Sequence, residues 1–384
     1  MFIPKEEFLT RINSLQSTAS DQGLDAIIAF SRFYDRPGHV QYLCNHYPPF
    51  PSVVMSHNSR AKGHSAIVIP TNGEATLISD AWYFRKDKIA IDAVKVDPNV
   101  PAAVIEVVNE KGLSQGIIGV IGSDIFPFAF FDDIRRQLPS AKFKPVDEIL
   151  LEMRRVKSST ELTLLRECAR IVDVSMEEAL KLMKPGVLEW EVASAAVGRA
   201  MREGSETGRL RVQSGPWSSQ PVRWPPATNR ALENGDIVVM DFVGTFEDYS
   251  YDITRTAVVG KANDFQLEML ELQYGATMHL INNLEPGMTA HDLTMMAEKY
   301  YSGTSIANKR RPGTLAGHDI GIEVCDTFHI IEGEQAVIEP GCVLCIEPGL
   351  YLPTEGLGVR VEEMVIVNED GCEIITEVNP TPWR

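Results

Sequence analysis

Apolar positions follow two rhythms along the first 150 residues. Residues 5–22 repeat them at helical spacing, whereas DAIIAF (25–30), SAIVIP (65–70) and EATLIS (74–79) are short runs bounded by Gly, Pro or Asn. These periods predict an alternation of amphipathic helices and short strands. PAAVIEVVNEKG (101–112) reads as a helix closed by a glycine, and GIIGVIG (116–122) as a buried strand. The layering is α/β around a mostly buried sheet. Its glycines are spaced GxxGxxG with no good helix start behind them, so no dinucleotide loop is predicted.

The pattern changes near residue 153. MRRVKSSTELTLLRECARIVDVSMEEALKLMKPG (153–186) has the spacing of one long amphipathic helix, capped by Ser159 or Thr160 and stopped by Lys-Pro-Gly. A second helix is predicted over 190–204, strands around RLRVQSG and DIVVMDFVG, and helices over 264–285 and 290–301. Strands dominate from 318 onward. The expected domains are therefore 1–152 and 153–384, joined without a low-complexity tract.

Composition narrows the function. A formal charge of −17 over 384 residues argues against a nucleic-acid partner, whose phosphates need a basic footprint. Six scattered cysteines suit reduced thiols in a cytoplasm, and Cys342-Val-Leu-Cys345, with no second pair, reads as two ordinary strand residues. MFIPKEEFLT lacks the apolar core of a signal peptide, and no run of 18 apolar residues predicts a membrane span. A cytoplasmic protein is expected.

Candidate chemistry begins in DIVVMDFVGTFEDYSYDITRTAVVG (236–260). A reversal at Glu247-Asp248 makes this a β-hairpin that sets Asp241 and Asp252 opposite or nearly opposite each other. Facing carboxylates repel, and a cation between them explains their presence in an apolar hairpin. Glu347 ends the apolar strand CVLCI, and Glu362 or Glu363 sits in GVRVEEMVIV, where buried charge again needs a partner such as Arg360 or a metal. With His318 of Gly-His-Asp, the inventory is four carboxylates and one imidazole. That set balances two divalent cations and suits manganese, cobalt, iron or zinc.

These motifs resemble the creatinase/prolidase/methionine-aminopeptidase family of pita-bread metallohydrolases. The family pattern corresponds to Asp241, Asp252 in YDITRT, Gly317-His318-Asp319-Ile320-Gly321, Glu347-Pro348-Gly349-Leu350-Tyr351 and Arg360-Val361-Glu362. The Arg-x-Glu motif selects Glu362 over Glu363. RRVKSSTELTLLRECA (154–169) is similar to the segment that opens the catalytic domain, so the likeness spans roughly residues 150–384. It implies an α/β (α+β) chain: a creatinase-like N-terminal domain and a pita-bread domain of curved antiparallel sheet flanked by helices. It also implies a homodimer and a dinuclear site bridged by Asp252, Glu362 and a water, with metals roughly 3.5–4 Å apart. Asp241, His318 and Glu347 would complete the shells. The bridging hydroxide would attack an amide carbonyl while Glu347 moves the proton to the leaving nitrogen.

The sequence departs from the family at two substrate-side histidines. One is expected in QPVRWPPATNRALENGD (220–236), where Trp224 or Arg223 stands instead; the other is replaced in Val324-Cys325-Asp326. Asp326 is then a candidate acid/base or a holder of a cationic substrate group. Trp224, Arg223, Tyr249 and Cys325 are candidate substrate residues, Trp224 through an apolar or cation–π face. A histidine from a partner chain could restore the imidazole, since His39, His46, His57 and His64 cluster in a Pro-rich stretch (36–64). Three functions follow: an Xaa-Pro dipeptidase or aminopeptidase; a same-fold enzyme on an osmolyte-like small molecule, by amide or ring hydrolysis or lyase chemistry; and a non-enzymatic binding module. Dimethylsulfoniopropionate lyases of this fold carry a further Asp where Val243 stands, and creatinase uses the absent histidines, so both specific activities are disfavoured.

Overall fold

The alternating rhythm of the first part resolves into α1 (Lys5–Asp21), β1 (Ala26–Arg32), α2 (Gly38–Cys44), β2 (His64–Pro70), β3 (Thr76–Ser79), β4 (Val94–Val96), α3 (Val100–Glu110), β5 (Ile117–Ile121), α4 (Phe128–Gln137), β6 (Lys142–Pro145) and α5 (Asp147–Arg155). The structure is a computed structural model and describes residues 2–34, 36–48, 60–82, 84–311 and 313–384. It divides into two units, Phe2–Arg154 and Arg155–Arg384.

In the N-terminal unit a six-stranded mixed sheet runs β4-β3-β2-β1-β5-β6. Strands β1, β2 and β5 are almost wholly buried, as their continuous apolar runs require. Ile28, Phe30, Val68, Val104, Val108 and Val120 join one core. His39, His46 and His64 are buried here, only 1%, 1% and 3% exposed, and His39 Nδ1 lies 3.1 Å from Arg154. Three of the histidines proposed for a neighbouring site are thus interior groups of their own unit, while His57 lies outside the described residues.

The C-terminal unit contains α6 (Ser159–Leu180), α7 (Glu189–Arg202), β7 (Thr207–Ser214), β8 (Ile237–Phe246), β9 (Tyr249–Val258), α8 (Asp264–Asn283), α9 (Ala290–Ser302), β10 (Gly317–Asp319), β11 (His329–Ile330), β12 (Val343–Ile346), β13 (Leu350–Leu352), β14 (Leu357–Val359), β15 (Glu363–Asn368) and β16 (Gly371–Ile374). The single helix expected over 153–186 is two, α5 and α6. Ser158, not Ser159 or Thr160, is the cap: its hydroxyl accepts from Glu161 N (3.2 Å) while Glu161 accepts from Ser158 N (2.8 Å). The break frees Lys157 to turn inward, where its ammonium is 3.2 Å from Asp319 and 3.6 Å from Asp326.

Antiparallel sheets β7-β8-β9 and β11-β10-β12-β15-β16 carry the chemistry-bearing residues. Helices α6 and α7 pack on one face of the β7–β9 sheet, where Phe242 and Tyr251 meet edge to face with centroids 5.5 Å apart. The opposite face is left for Asp241 and Asp252, because side chains alternate along a strand.

Candidate metal centre

A two-residue turn at Glu247-Asp248, both with positive φ (46° and 65°), pairs Phe246 with Tyr249. Such a turn fixes the register of the whole hairpin. Asp241 therefore faces Thr254, and Asp252 faces Val243. The two aspartates share a face on a diagonal, rather than standing opposite as the sequence suggested.

His318 enters from β10, directly across from Cys345 of β12 and His329 of β11. Its Nδ1 lies 3.0 Å from the Asp319 carbonyl oxygen. Donation there leaves the Nε2 lone pair free as a ligand. Nε2 is 3.6 Å from Asp252 Oδ2 and 3.5 Å from Glu347 Oε1.

Glu362 is fully buried, and its carboxylate accepts from Thr254 Oγ1 at 2.8 Å. Its neighbour Glu363 turns the other way, to Arg255 at 3.0 Å. Arg360 bonds Asp241, donates to Thr254 Oγ1 and the Tyr351 hydroxyl at 2.9 Å, and stands 3.3 Å from Glu347. Arg211 adds a second contact to Asp241 at 2.9 Å.

The electrostatics favour a cation. Burial and the neighbouring carboxylates push Asp252 up to about 7 and Glu362 well above the usual carboxylate range. Burial alone would raise Asp241 too, but Arg360 and Arg211 hold it below its ordinary value. Burial opposes a charged His318, yet Asp252 and Glu347 hold its imidazole well above the ordinary value. One oxygen each of Asp241, Asp252 and Glu362 is buried with no hydrogen-bond partner. Buried orphan acceptors are rare and call for an explanation. The donor set of Asp241, Asp252, His318, Glu347 and Glu362 fits divalent ions and could hold them.

Several expected substrate residues lie elsewhere. Tyr249 alternates onto the helix-facing side of β9, where its hydroxyl donates to Glu161 at 2.8 Å, so it does not face the site. Arg223 is committed to the buried Glu189 carboxylate at 2.6 Å and to the Val212 carbonyl at 2.8 Å. Asp326 is buried, accepts from Glu323 N at 3.0 Å and stands beside Lys157. It does hold a cation, but the protein's own, and that removes it from the acid/base candidates.

Trp224 is 81% exposed and so is not a packing residue. Cys325 is an exposed residue; crowding around its sulfur and the carboxylates of Asp252 and Glu347 outweigh His318 and push its thiol up to about 11. No thiolate is at hand near neutral pH.

Three neighbours were not singled out from the sequence. Cys345, expected to be an ordinary strand residue, is the across-strand partner of His318. Among the described residues, ligand atoms of His318, Cys345 and Glu362 all lie within 4.8 Å of one another. His329 is exposed, with its ring 6.4 Å from that of His318. Lys157 braces the loop after His318. Nothing local in the sequence hinted at His329 or Lys157.

The profile of metallopeptidase family M24 matches residues 163–369, and that of the creatinase/prolidase N-terminal domain matches residues 11–156. The chain belongs to metallopeptidase family M24. It is 28% identical over 294 residues to an Xaa-Pro dipeptidase of Pyrococcus horikoshii, covering 76% of this chain and 82% of the relative. It is 25% identical to a creatinase of a Bacillus species, covering 97% and 91%. Its structure is similar to that of an X-Pro aminopeptidase from Thermotoga maritima, with a TM-score of 0.83, 25% identity, and coverage of 96% and 98%. This M24 chain thus has the mixed α/β architecture expected of the family, with a creatinase-like unit followed by an M24 unit. No described helix is long and apolar enough to cross a membrane.

Proposed function

We propose that this M24 chain is a metal-dependent hydrolase of short peptides, of the Xaa-Pro dipeptidase or aminopeptidase type. The observation that carries the reading is the convergence of Asp252, His318, Glu347 and Glu362 around buried oxygens that lack partners. The activities of the similar Pyrococcus dipeptidase and Thermotoga aminopeptidase support the same class.

Asp241, Asp252, His318, Glu347 and Glu362 would hold two divalent ions, manganese first, with cobalt, zinc or iron as alternatives. Bound ions supply an acidified water and polarisation of the substrate carbonyl. The rest falls to the chain. Arg360 and Arg211 keep Asp241 ionised and fixed in position. Glu347 lies with one oxygen toward His318 and the other toward Arg360, a setting in which it can accept a proton from the attacking water and return it to the leaving nitrogen. His329 offers an accessible imidazole N–H to the substrate, on the face that His318 occupies. A homodimer belongs to the proposal on the resemblance, and a cytoplasmic location on six unpaired cysteines.

A second reading, hydrolysis of a non-peptide amide, is favoured by one fact: no imidazole stands at 223–224 or 325. Turnover of a panel of Xaa-Pro dipeptides, with Mn²⁺ and after chelation, tests both. Metal-restored cleavage is expected; no cleavage of any member by metal-loaded protein would sink the peptidase reading.

A further inference from the structure

Cys345 lies in the middle of β12, across from His318 on one side and Met364 on the other. Residues directly opposite in an antiparallel pair project to the same side, so its sulfur shares a face with the His318 imidazole. The side chain is wholly buried. Cys342, three residues earlier, cannot share that face; its sulfur accepts from Glu339 N at 3.4 Å within the apolar core.

The thiol of Cys345 is also the least committed of the buried ones. Cys44, Cys168 and Cys372 donate to backbone carbonyls at 3.4, 3.3 and 3.4 Å. Cys345 has only the Asp252 carbonyl, at 4.0 Å. Its neighbours are held from behind. His318 Nδ1 lies against the Asp319 carbonyl, and Thr254 donates to one oxygen of Glu362, whose other oxygen is buried without a partner. The ligand atoms of His318, Cys345 and Glu362 lie within 4.8 Å of one another. Donors of one tetrahedral zinc-like ion stand roughly 3.3–3.7 Å apart, so a closure of about 1 Å brings this set to bonding distance. Asp252, 3.6 Å from His318 Nε2 and with an orphan oxygen of its own, supplies a fourth donor.

We propose that Cys345 is a sulfur ligand of the metal centre, and that with His318 and Glu362 it selects a thiophilic divalent cation such as zinc over manganese at that position. A soft donor among nitrogen and oxygen favours zinc or cobalt over the harder ion. On binding, the ion takes the place of the thiol proton, which leaves to solvent. The inference rests on the ligand roles given above to His318 and Glu362.

The test loads the purified full chain, after chelation, with Co²⁺ and separately with Zn²⁺. Thiolate-to-cobalt charge transfer gives a near-ultraviolet band that nitrogen and oxygen ligands do not, and X-ray absorption reads a Zn–S shell at about 2.3 Å. Both signals are expected in wild type and in Cys325→Ser, and both should vanish in Cys345→Ser. Competition titrations should show Cys345→Ser weakening Zn²⁺ binding by about tenfold or more, and Mn²⁺ binding by less than about threefold. If Cys345→Ser and Cys345→Ala both fail to fold, a sulfur shell that persists in Cys325→Ser upholds the assignment. Bound cobalt without charge transfer, and zinc with only nitrogen and oxygen neighbours, overturn it and leave the metal centre standing. Signals lost in Cys325→Ser but kept in Cys345→Ser overturn it as well, and equal weakening of Zn²⁺ and Mn²⁺ overturns the preference. Sulfur-ligated metal without cleavage of any Xaa-Pro peptide upholds Cys345 while the peptidase reading falls. Protein that binds neither ion sinks both.

Discussion

Asp252 Oδ2 and His318 Nε2 stand 3.6 Å apart, one carried by a hairpin strand and the other by a strand of the second sheet. That gap is long for a hydrogen bond and suits two donors around one ion with bonds of about 2.0–2.2 Å. Replacing Asp252 by Ala removes an oxygen from the proposed bridging position. Asp252→Ala is expected to lower bound metal, read by elemental analysis, and to cut metal-dependent turnover by about three orders of magnitude or more. Turnover at wild-type level would refute the dinuclear arrangement.

Lys157 is a buried cation serving two buried carboxylates, Asp319 at the end of β10 and Asp326 in the loop that follows. Burial opposes its charge, yet the two aspartates raise its pKa above the ordinary value. Lys157→Met leaves them uncompensated, which typically costs about 3–5 kcal/mol. Urea unfolding of the variant should show that loss, and its metal affinity should weaken as the loop loosens. An unchanged urea midpoint would show that the pair contributes little.

His329 has no match among the family's substrate-side histidines, yet it lies across the ladder from His318 and is exposed. As a substrate donor it should affect chemistry and not metal loading. His329→Ala is expected to lower kcat/KM about 10- to 100-fold, roughly 1.4–2.7 kcal/mol, at unchanged metal content. Cys325→Ala should change it by less than about threefold, the scale of a lost surface contact. The reverse ranking would return the role to position 325.

Burial lowers the pKa of His46 to about 4, and those of His39 and His64 also fall below the ordinary value. An unfolded histidine takes up its proton near pH 6.5, before the folded one does. Stability is therefore fully present above about pH 6.5 and is lost as pH falls toward 4, by about 3 kcal/mol for His46 alone. Thermal melts of the protein between pH 7 and 4 should show this slope. His46→Phe should flatten it, and a slope identical to wild type would exclude His46 as its source.

Much of the site is legible in the sequence, because it rests on short motifs in strands. Asp241, Asp252, His318, Glu347 and Glu362 are charged or polar groups inside apolar runs, and burial of charge without a partner is improbable enough to be read locally. The same locality explains what the motifs do not convey. The diagonal offset of Asp241 and Asp252 depends on a two-residue turn, and one more residue in it would have changed every pair. Arg223, Tyr249 and Asp326 each have a site-like position in the chain, but their side chains are claimed by Glu189, Glu161 and Lys157.

Periodicity along this chain determined where most helices and strands lie and which apolar runs hold carboxylates that must be compensated, since both follow from local geometry and desolvation. Only the tertiary structure decided which partner compensates each charge. It sent Arg360 to Asp241, Arg255 to Glu363 and Lys157 to Asp319. Those choices depend on distances between strands remote in sequence, and Coulombic and hydrogen-bond energies are settled by distance, not by order along the chain.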